Sequence, residues 1–269
     1  WQDVTLNESI DTFPGNPELN YVSATAYAIN ESGQVAGAAL GENERARAFR
    51  WENGTMTNLG YYAIPNLLGV EAGFGSAINA GGVVAGSSSA LQSSCDFPGD
   101  APYYNCSVSV GTLFDGAPTA LEPLTQCEQR CEGEANDIND AGIIVGYDKR
   151  ADHYDTCCYQ AVKWIGTSPT RLETTDEVSS FALAINNNGI IVGRKEYEWQ
   201  GNTYPMIWDE NGGTNIIENR PEYIGGSLSD INDSGQAVGG IYAQATNTLF
   251  ATLYQNGVII DLNSFLPAD

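Results

Sequence analysis

Five copies of one short pattern constrain this chain more than anything else in it. The first reads Ala28-Ile29-Asn30-Glu31-Ser32-Gly33-Gln34-Val35-Ala36-Gly37, and its counterparts begin at Ala77, Asp137, Ala184 and Asp230 and close at Gly86, Gly146, Gly193 and Gly239. A second element follows each copy, an apolar or aromatic strand ending in a turn, as in Ala48-Phe49-Arg50-Trp51, Thr112-Leu113-Phe114, Ala161-Val162-Lys163-Trp164, Met206-Ile207-Trp208 and Thr252-Leu253-Tyr254. Each unit predicts four strands in a meander. The Asn-x-x-Gly segment suits a tight turn because Gly takes the positive φ that closes it. Asn53-Gly54 and Asn256-Gly257 are two-residue hairpin signals of the same kind.

The Ile of successive copies lies 49, 60, 47 and 46 residues from the last, a period that matches four-stranded propeller blades. One such sheet cannot bury both faces alone, whereas five arranged radially bury them against one another. The expected fold is therefore all-β, a five-bladed β-propeller of four-stranded antiparallel blades with an additional N-terminal strand. It forms a single domain over residues 1–269, with an arm over 1–20 and blades over approximately 21–60, 61–124, 125–174, 175–220 and 221–265. A β-solenoid fits less well, since its coils are shorter and need no two hairpins per repeat. No stretch approaches a membrane span of about 20 apolar residues.

The combination Ala-x-x-Ile-Asn-x-x-Gly-x-Val-Val-Gly, then Ala-Phe-x-Trp-x-x-Gly and a terminal Asp-Leu, resembles the secreted microbial extracellular HAF-repeat family over roughly residues 24 to 262. The name-giving His is replaced by Arg47, Val110, Gln160, Tyr204 and Phe250. The resemblance implies export and a propeller-like fold, and it carries no catalytic residues across. A chain that opens at Trp1 without Met is in keeping with a removed leader.

Six cysteines without a Cys-x-x-Cys and matching His read as disulfides of an oxidising, secreted or cell-surface compartment rather than as a zinc site. Cys95 and Cys106 flank one long insertion and are expected to staple it. Cys127 and Cys131 precede the third copy, Cys157 and Cys158 are adjacent in its loop, and cross-pairing of these two groups avoids a strained vicinal bridge. Thirty-four acids against eleven bases give a net charge of -23, which opposes nucleic acid and anionic lipid by repulsion. Asp-x-Asn-Asp-x-Gly, from Asp137 and from Asp230, has a superficial calcium-loop look. It lacks the spaced acidic ligands and terminal Glu, so both segments read as hairpin turns with calcium as the weaker alternative. No cofactor is otherwise implied.

The loops between second and third strands vary most in length, and insertions on one face mark a binding face. Together with the linkers from one blade to the next, which emerge on the same face, these loops account for all six cysteines, and the loops themselves carry Tyr103, Tyr104, His153, Tyr154, Tyr197 and Trp199, interleaved with acids. Aromatic faces beside carboxylates suit stacking on sugar rings, and equally a protein interface. His153 is the only His and no nucleophile elbow accompanies it, so nucleophilic catalysis is not expected. The run Asp3-Val4-Thr5-Leu6-Asn7 resembles the last strand of a blade, although the fifth repeat already has one. Val4, Thr5 and Leu6 either lie against the chain's own carboxy-terminal blade or add to a neighbour's exposed edge. The functional expectation is a secreted, non-enzymatic recognition module for an extracellular glycan or protein ligand. The alternative is a subunit of a surface assembly joined by the N-terminal strand, and a polysaccharide-active enzyme comes third.

Overall fold

The computed structural model describes residues 21–41, 45–65, 71–92, 106–124, 132–149, 159–173, 178–197 and 202–267. They form five four-stranded antiparallel sheets, each running in chain order. The first holds β1 (Tyr21–Ile29), β2 (Val35–Gly41), β3 (Ala46–Glu52) and β4 (Thr55–Gly60). The second holds β5 (Glu71–Ile78), β6 (Val84–Gln92), β7 (Cys106–Asp115) and β8 (Ala117–Ala120). The third is β9 (Gly133–Ile138), β10 (Ile143–Lys149), β11 (Tyr159–Ile165) and β12 (Ser168–Arg171). The fourth is β13 (Ser179–Ile185), β14 (Ile191–Tyr197), β15 (Asn202–Asp209) and β16 (Gly212–Asn215), and the fifth is β17 (Tyr223–Ile231), β18 (Ala237–Ala243), β19 (Thr248–Gln255) and β20 (Val258–Asp261). The all-β, four-strands-per-repeat expectation is met. The chain divides into two compact units, one of residues 1–122 and 127–140, the other of 123–126 and 141–269. The expected N-terminal strand, Val4 to Leu6, lies outside the described residues.

Every copy of the repeated pattern builds the same turn. Gly33, Gly82, Gly142, Gly189 and Gly235 have φ between +74° and +79°, the left-handed region in which a Cβ is penalised. The Asn does more than start the turn. Its Oδ1 accepts the N–H groups two and four residues on, as at Asn30 with Ser32 and Gln34, Asn186 with Asn188 and Ile190, and Asn232 with Ser234 and Gln236. Its Nδ2 reaches the next repeat. Asn30 donates to the Asn79 carbonyl at 2.8 Å and Asn79 to that of Asn139 at 3.3 Å in the first unit, and Asn186 donates to that of Asn232 at 3.0 Å in the second.

The Gly that closes the pattern has a different reason. In four sheets the first strand carries a one-residue irregularity, between Ala26 and Ala28, Gly75 and Ala77, Ala182 and Ala184, and Leu228 and Asp230. The bulge pushes a carbonyl oxygen of Thr25, Phe74, Phe181 or Ser227 to where a Cβ on Gly37, Gly86, Gly193 or Gly239 would stand. Only Gly fits opposite such a bulge.

Within each unit the sheets stack face to face, and the pattern's Ile fills the space. Ile78 packs with Ala36 and Ala48 of the preceding sheet, Ile185 with Val145 and Ala161, and Ile231 with Val192. Burying an aliphatic side chain of this size contributes about 1.5–3 kcal/mol, so each such contact is a principal source of cohesion between repeats.

Candidate functional site

In the first unit the facing strands leave a cavity of about 550 Å³, lined by Tyr27 of β1, Phe74 and Ser76 of β5, Ser87 and Ser89 of β6, Ser109 of β7 and Glu134 of β9. Its placement follows from strand alternation. Ser87 and Ser89 are two residues apart on β6, and Ser89 pairs directly with Ser109, so all three hydroxyls point from one face of the second sheet. Among the described residues no side-chain hydrogen bond engages Ser87, Ser89 or Glu134, while Ser109 Oγ donates weakly to the Gly133 carbonyl at 3.4 Å. The cavity thus offers hydroxyls and one carboxylate to a guest, beside the rings of Tyr27 and Phe74.

The second unit fills the corresponding positions. The registers align Gly86 with Gly146, which sets Ser87 against Tyr147 and Ser109 against Tyr159. Counting back from the pattern's Ile likewise sets Glu134 against Phe181. Tyr147 meets Tyr159 edge to face with centroids 5.3 Å apart, and both meet Phe181 at 5.1 and 5.4 Å. The Arg194 guanidinium lies 4.5 Å from the centre of the Phe181 ring and pairs with Glu196 at 2.7 Å.

Of the residues expected from sequence to bind a ligand, Tyr197 is described. It ends β14 exposed, edge to face with Tyr204 at 5.4 Å, with Lys195 Nζ 5.7 Å from its ring centre. Tyr103, Tyr104, His153, Tyr154 and Trp199 lie outside the described residues, as do Cys95, Cys127, Cys131, Cys157 and Cys158. Cys106 opens β7 opposite Gln92. The acids read as hairpin turns serve the stack of repeats: Asp140 accepts the Ala80 N–H and Asp233 the Asn187 N–H, both at 2.8 Å. Among the described residues no three His, Cys, Asp or Glu side chains cluster as a metal site would require.

Two further positions recur with changed chemistry. Two residues past the closing Gly, a side chain on the second strand holds the linker entering its own repeat. Ser88 Oγ accepts the Tyr62 N–H at 2.8 Å, Asp148 Oδ2 accepts the Leu124 N–H at 2.7 Å, Lys195 pairs with Glu173 at 3.5 Å, and Ile241 shares a core cluster with Ile217. Burial raises the Asp148 carboxyl to about 6, against the opposing pull of the Leu124 and Lys149 N–H groups. The Tyr61 phenol is likewise held above its ordinary value by its hydrogen bond to Glu71 and by burial. The second recurring position is the residue before Ala48 and Ala161 on the third strands. There Arg47 Nη1 donates to the Glu71 carbonyl at 2.9 Å and Gln160 Nε2 to that of Val178 at 3.0 Å. Both reach the start of the following repeat.

Sequence reasoning missed the cavity, because its serines and Glu134 form no motif. The signal was available in principle: Ser87-Ser88-Ser89 stands where the third and fourth repeats carry Tyr147-Asp148-Lys149 and Arg194-Lys195-Glu196.

A family model described as a protein of unknown function (DUF3466) matches residues 70–203 and again residues 118–268. The two matches overlap and start about one repeat apart, as expected when one model of repeated units fits in two registers. No curated protein matches the chain in sequence. Among solved structures, an acylaminoacyl peptidase from Pyrococcus horikoshii is similar at 13% identity and a TM-score of 0.52, covering 89% of this chain and 38% of that one. TolB from Acinetobacter baumannii is similar at 10% identity and a TM-score of 0.41, covering 88% and 56%. This chain spans well under half of the peptidase, and at such identity the likeness is one of fold.

Proposed function

Because the chain belongs to the family of proteins of unknown function designated DUF3466, we propose its role from the site itself: a secreted, non-enzymatic recognition module that takes a glycan into the serine-lined cavity of its first unit. The sheets act as propeller-type blades of the extracellular HAF-repeat kind. The observation that carries this reading is the pairing of ring faces with free hydroxyls. Tyr27 and Phe74 supply surfaces for the apolar face of a sugar ring, while Ser87, Ser89 and Glu134 supply partners for its hydroxyls. A volume of about 550 Å³ lies in the range of small-molecule sites. Glycoside cleavage needs two carboxyl groups flanking the bond, whereas Glu134 is the single acid in this lining.

The test is a screen of neutral and basic oligosaccharides against the full chain, followed by calorimetry on any hit with the wild type and Ser87→Tyr. Binding in the micromolar to millimolar range that the substitution abolishes supports the reading. A screen without binders, or binding indifferent to Ser87→Tyr, rejects it. The alternative of an assembly joined by the N-terminal strand has its own test, since deleting residues 1–8 then lowers the solution mass.

A further inference from the structure

The second repeat, which borders the cavity, lacks a cation that the fourth repeat supplies from its own sequence. Counting four residues back from the pattern's Ile gives Thr25, Phe74, Glu134, Phe181 and Ser227, so the second and fourth repeats each place a Phe on the first strand. The cross-strand partner of that Phe differs. Phe181 pairs with Arg194, whereas Phe74 pairs with Ser87. In the fourth repeat the Arg194 guanidinium lies over the Phe181 ring, 4.5 Å from its centre, and Glu196, two residues on, holds it at 2.7 Å. A ring face and a carboxylate both attract positive charge, so each helps to fix the cation.

The second repeat keeps the ring and loses the cation. Ser87 and Ser89 stand where Arg194 and Glu196 do, one and three residues past the closing Gly. A serine is far shorter than an arginine, and the room so left belongs to the cavity that Phe74, Ser87 and Ser89 border. The carboxylate has moved rather than vanished, because Glu134 of β9 borders the same cavity. β9 is set there by the bridge between Ser109 and Glu132 and by the Ser109 hydroxyl on the Gly133 carbonyl. Among the described residues Glu134 has no ion-pair partner. The described basic side chains of the first unit, Arg45, Arg47 and Arg50, lie on or beside β3 and outside the lining. Arg47 and Arg50 donate instead to the Glu71 and Gly82 carbonyls.

We propose, resting on the cavity as the binding site, that its ligand brings the missing cation: a protonated amine seated over Phe74, with Glu134 as its counter-ion and serine hydroxyls as further acceptors. For a glycan this means an amino sugar whose nitrogen is free rather than acetylated, since an amide nitrogen carries no charge. Aliphatic polyamines offer the same chemistry. The net charge of -23 draws either kind of cation toward the protein, and Phe74 and Glu134 decide where it stays.

Calorimetry on the full chain at physiological salt, which screens attraction to the general surface, compares three probes: a glucosamine trimer, its N-acetylated counterpart, and spermidine. The glucosamine trimer should bind about 10-fold more tightly than the acetylated one. Glu134→Gln keeps the shape of the side chain and should remove that preference, weakening the amine and leaving the acetylated sugar unchanged. Ser87→Arg should rebuild the arrangement of the fourth repeat, with the protein's own cation over Phe74, and abolish amine binding. Circular dichroism verifies that both variants fold. Equal affinity for the two trimers, or a preference that survives Glu134→Gln, overturns the proposal, while the glycan reading is judged separately by whether Ser87→Tyr abolishes trimer binding. Glu134-dependent binding of spermidine with neither trimer bound upholds the amine and removes the sugar. Amine binding that neither variant weakens belongs to the acidic surface and overturns the proposal, as does a lack of binding by all three probes.

Discussion

The cavity of the first unit, bordered by strands of the first, second and third sheets, and the space between the third and fourth sheets share equivalent positions, yet the first is open and the second is packed. Where the first unit has Ser87, Ser109 and Glu134, the second has Tyr147, Tyr159 and Phe181 in mutual ring contact. The β6–β7 and β10–β11 registers match, so it is side-chain size that distinguishes these positions. A repeat architecture separates two tasks in this way. The Ile, the Asn and the two Gly of the pattern hold neighbouring sheets at a set distance, and the residues between them are then free to fill that distance or leave it open.

The largest effect should come from emptying the filled side. Changing Tyr147 and Tyr159 together to Ser removes two half-buried rings and their edge-to-face contacts, at a cost of about 4 kcal/mol in total. Chemical denaturation would show it as a lower midpoint. If stability is unchanged, the rings are not what closes that space, and the comparison fails. The reverse exchange, Ser87→Tyr with Ser109→Tyr, should leave the fold intact because the cavity has room for the rings. It should lower affinity for any glycan bound there at least 100-fold, or about 2.7 kcal/mol. Calorimetry checks this, and retained binding would move the site to the loops around Tyr197.

What the sequence made legible was whatever repeats. Strand count, the positive φ of Gly33 and its counterparts, and the hairpins at Asn53-Gly54 and Asn256-Gly257 all followed from local backbone chemistry. The closing Gly was visible as a recurring letter, but its reason was not, because the bulge it faces lies on another strand. The Asn was read as a turn former alone, and its donation across 46 to 60 residues is a property of stacking. The cavity was the hardest to see. Its serines and Glu134 form no motif, and a search for chemistry-bearing aromatics in long loops passes over serines in a strand.

The linker anchors extend the comparison to pH. Ser88 in the first unit and Asp148 in the second do the same work on incoming linkers, but only Asp148 titrates. Its folded value of about 6 lies above the ordinary 3.8, so the folded chain holds this proton more tightly than the unfolded one. Its ionisation therefore opposes folding: the group costs nothing below pH 4, the cost grows between pH 4 and 6, and it is constant above. The full difference corresponds to roughly 3 kcal/mol. Asp148→Asn keeps an acceptor for the Leu124 N–H without the charge, so it should stabilise the protein by about 2 kcal/mol at pH 8 and by little at pH 4. Denaturation midpoints at the two pH values measure this, and an equal effect at both would place the carboxylate in water. Ser88→Ala, by contrast, should give a small loss independent of pH.

The smallest effects concern the Asn relay, and they ask whether both units are held together in the same way. Asn79→Ala removes the amide that reaches the Asn139 carbonyl and the acceptor for the Val83 N–H, and Asn186→Ala removes the equivalent pair in the second unit. Each lost hydrogen bond is worth about 1 kcal/mol net, so each variant should lose about 1–2 kcal/mol. The Asn79 bond is the longer, 3.3 Å against 3.0 Å, which puts Asn79→Ala at the lower end. Asp separates the two roles, because it keeps the acceptor that closes the turn and loses the donor to the next repeat. Asn186→Asp should therefore cost no less than Asn186→Ala, since its charge faces the Asn232 carbonyl. If instead Asp behaves like the wild type at neutral pH, the turn is all that this residue supplies, and the stack rests on the Ile contacts alone.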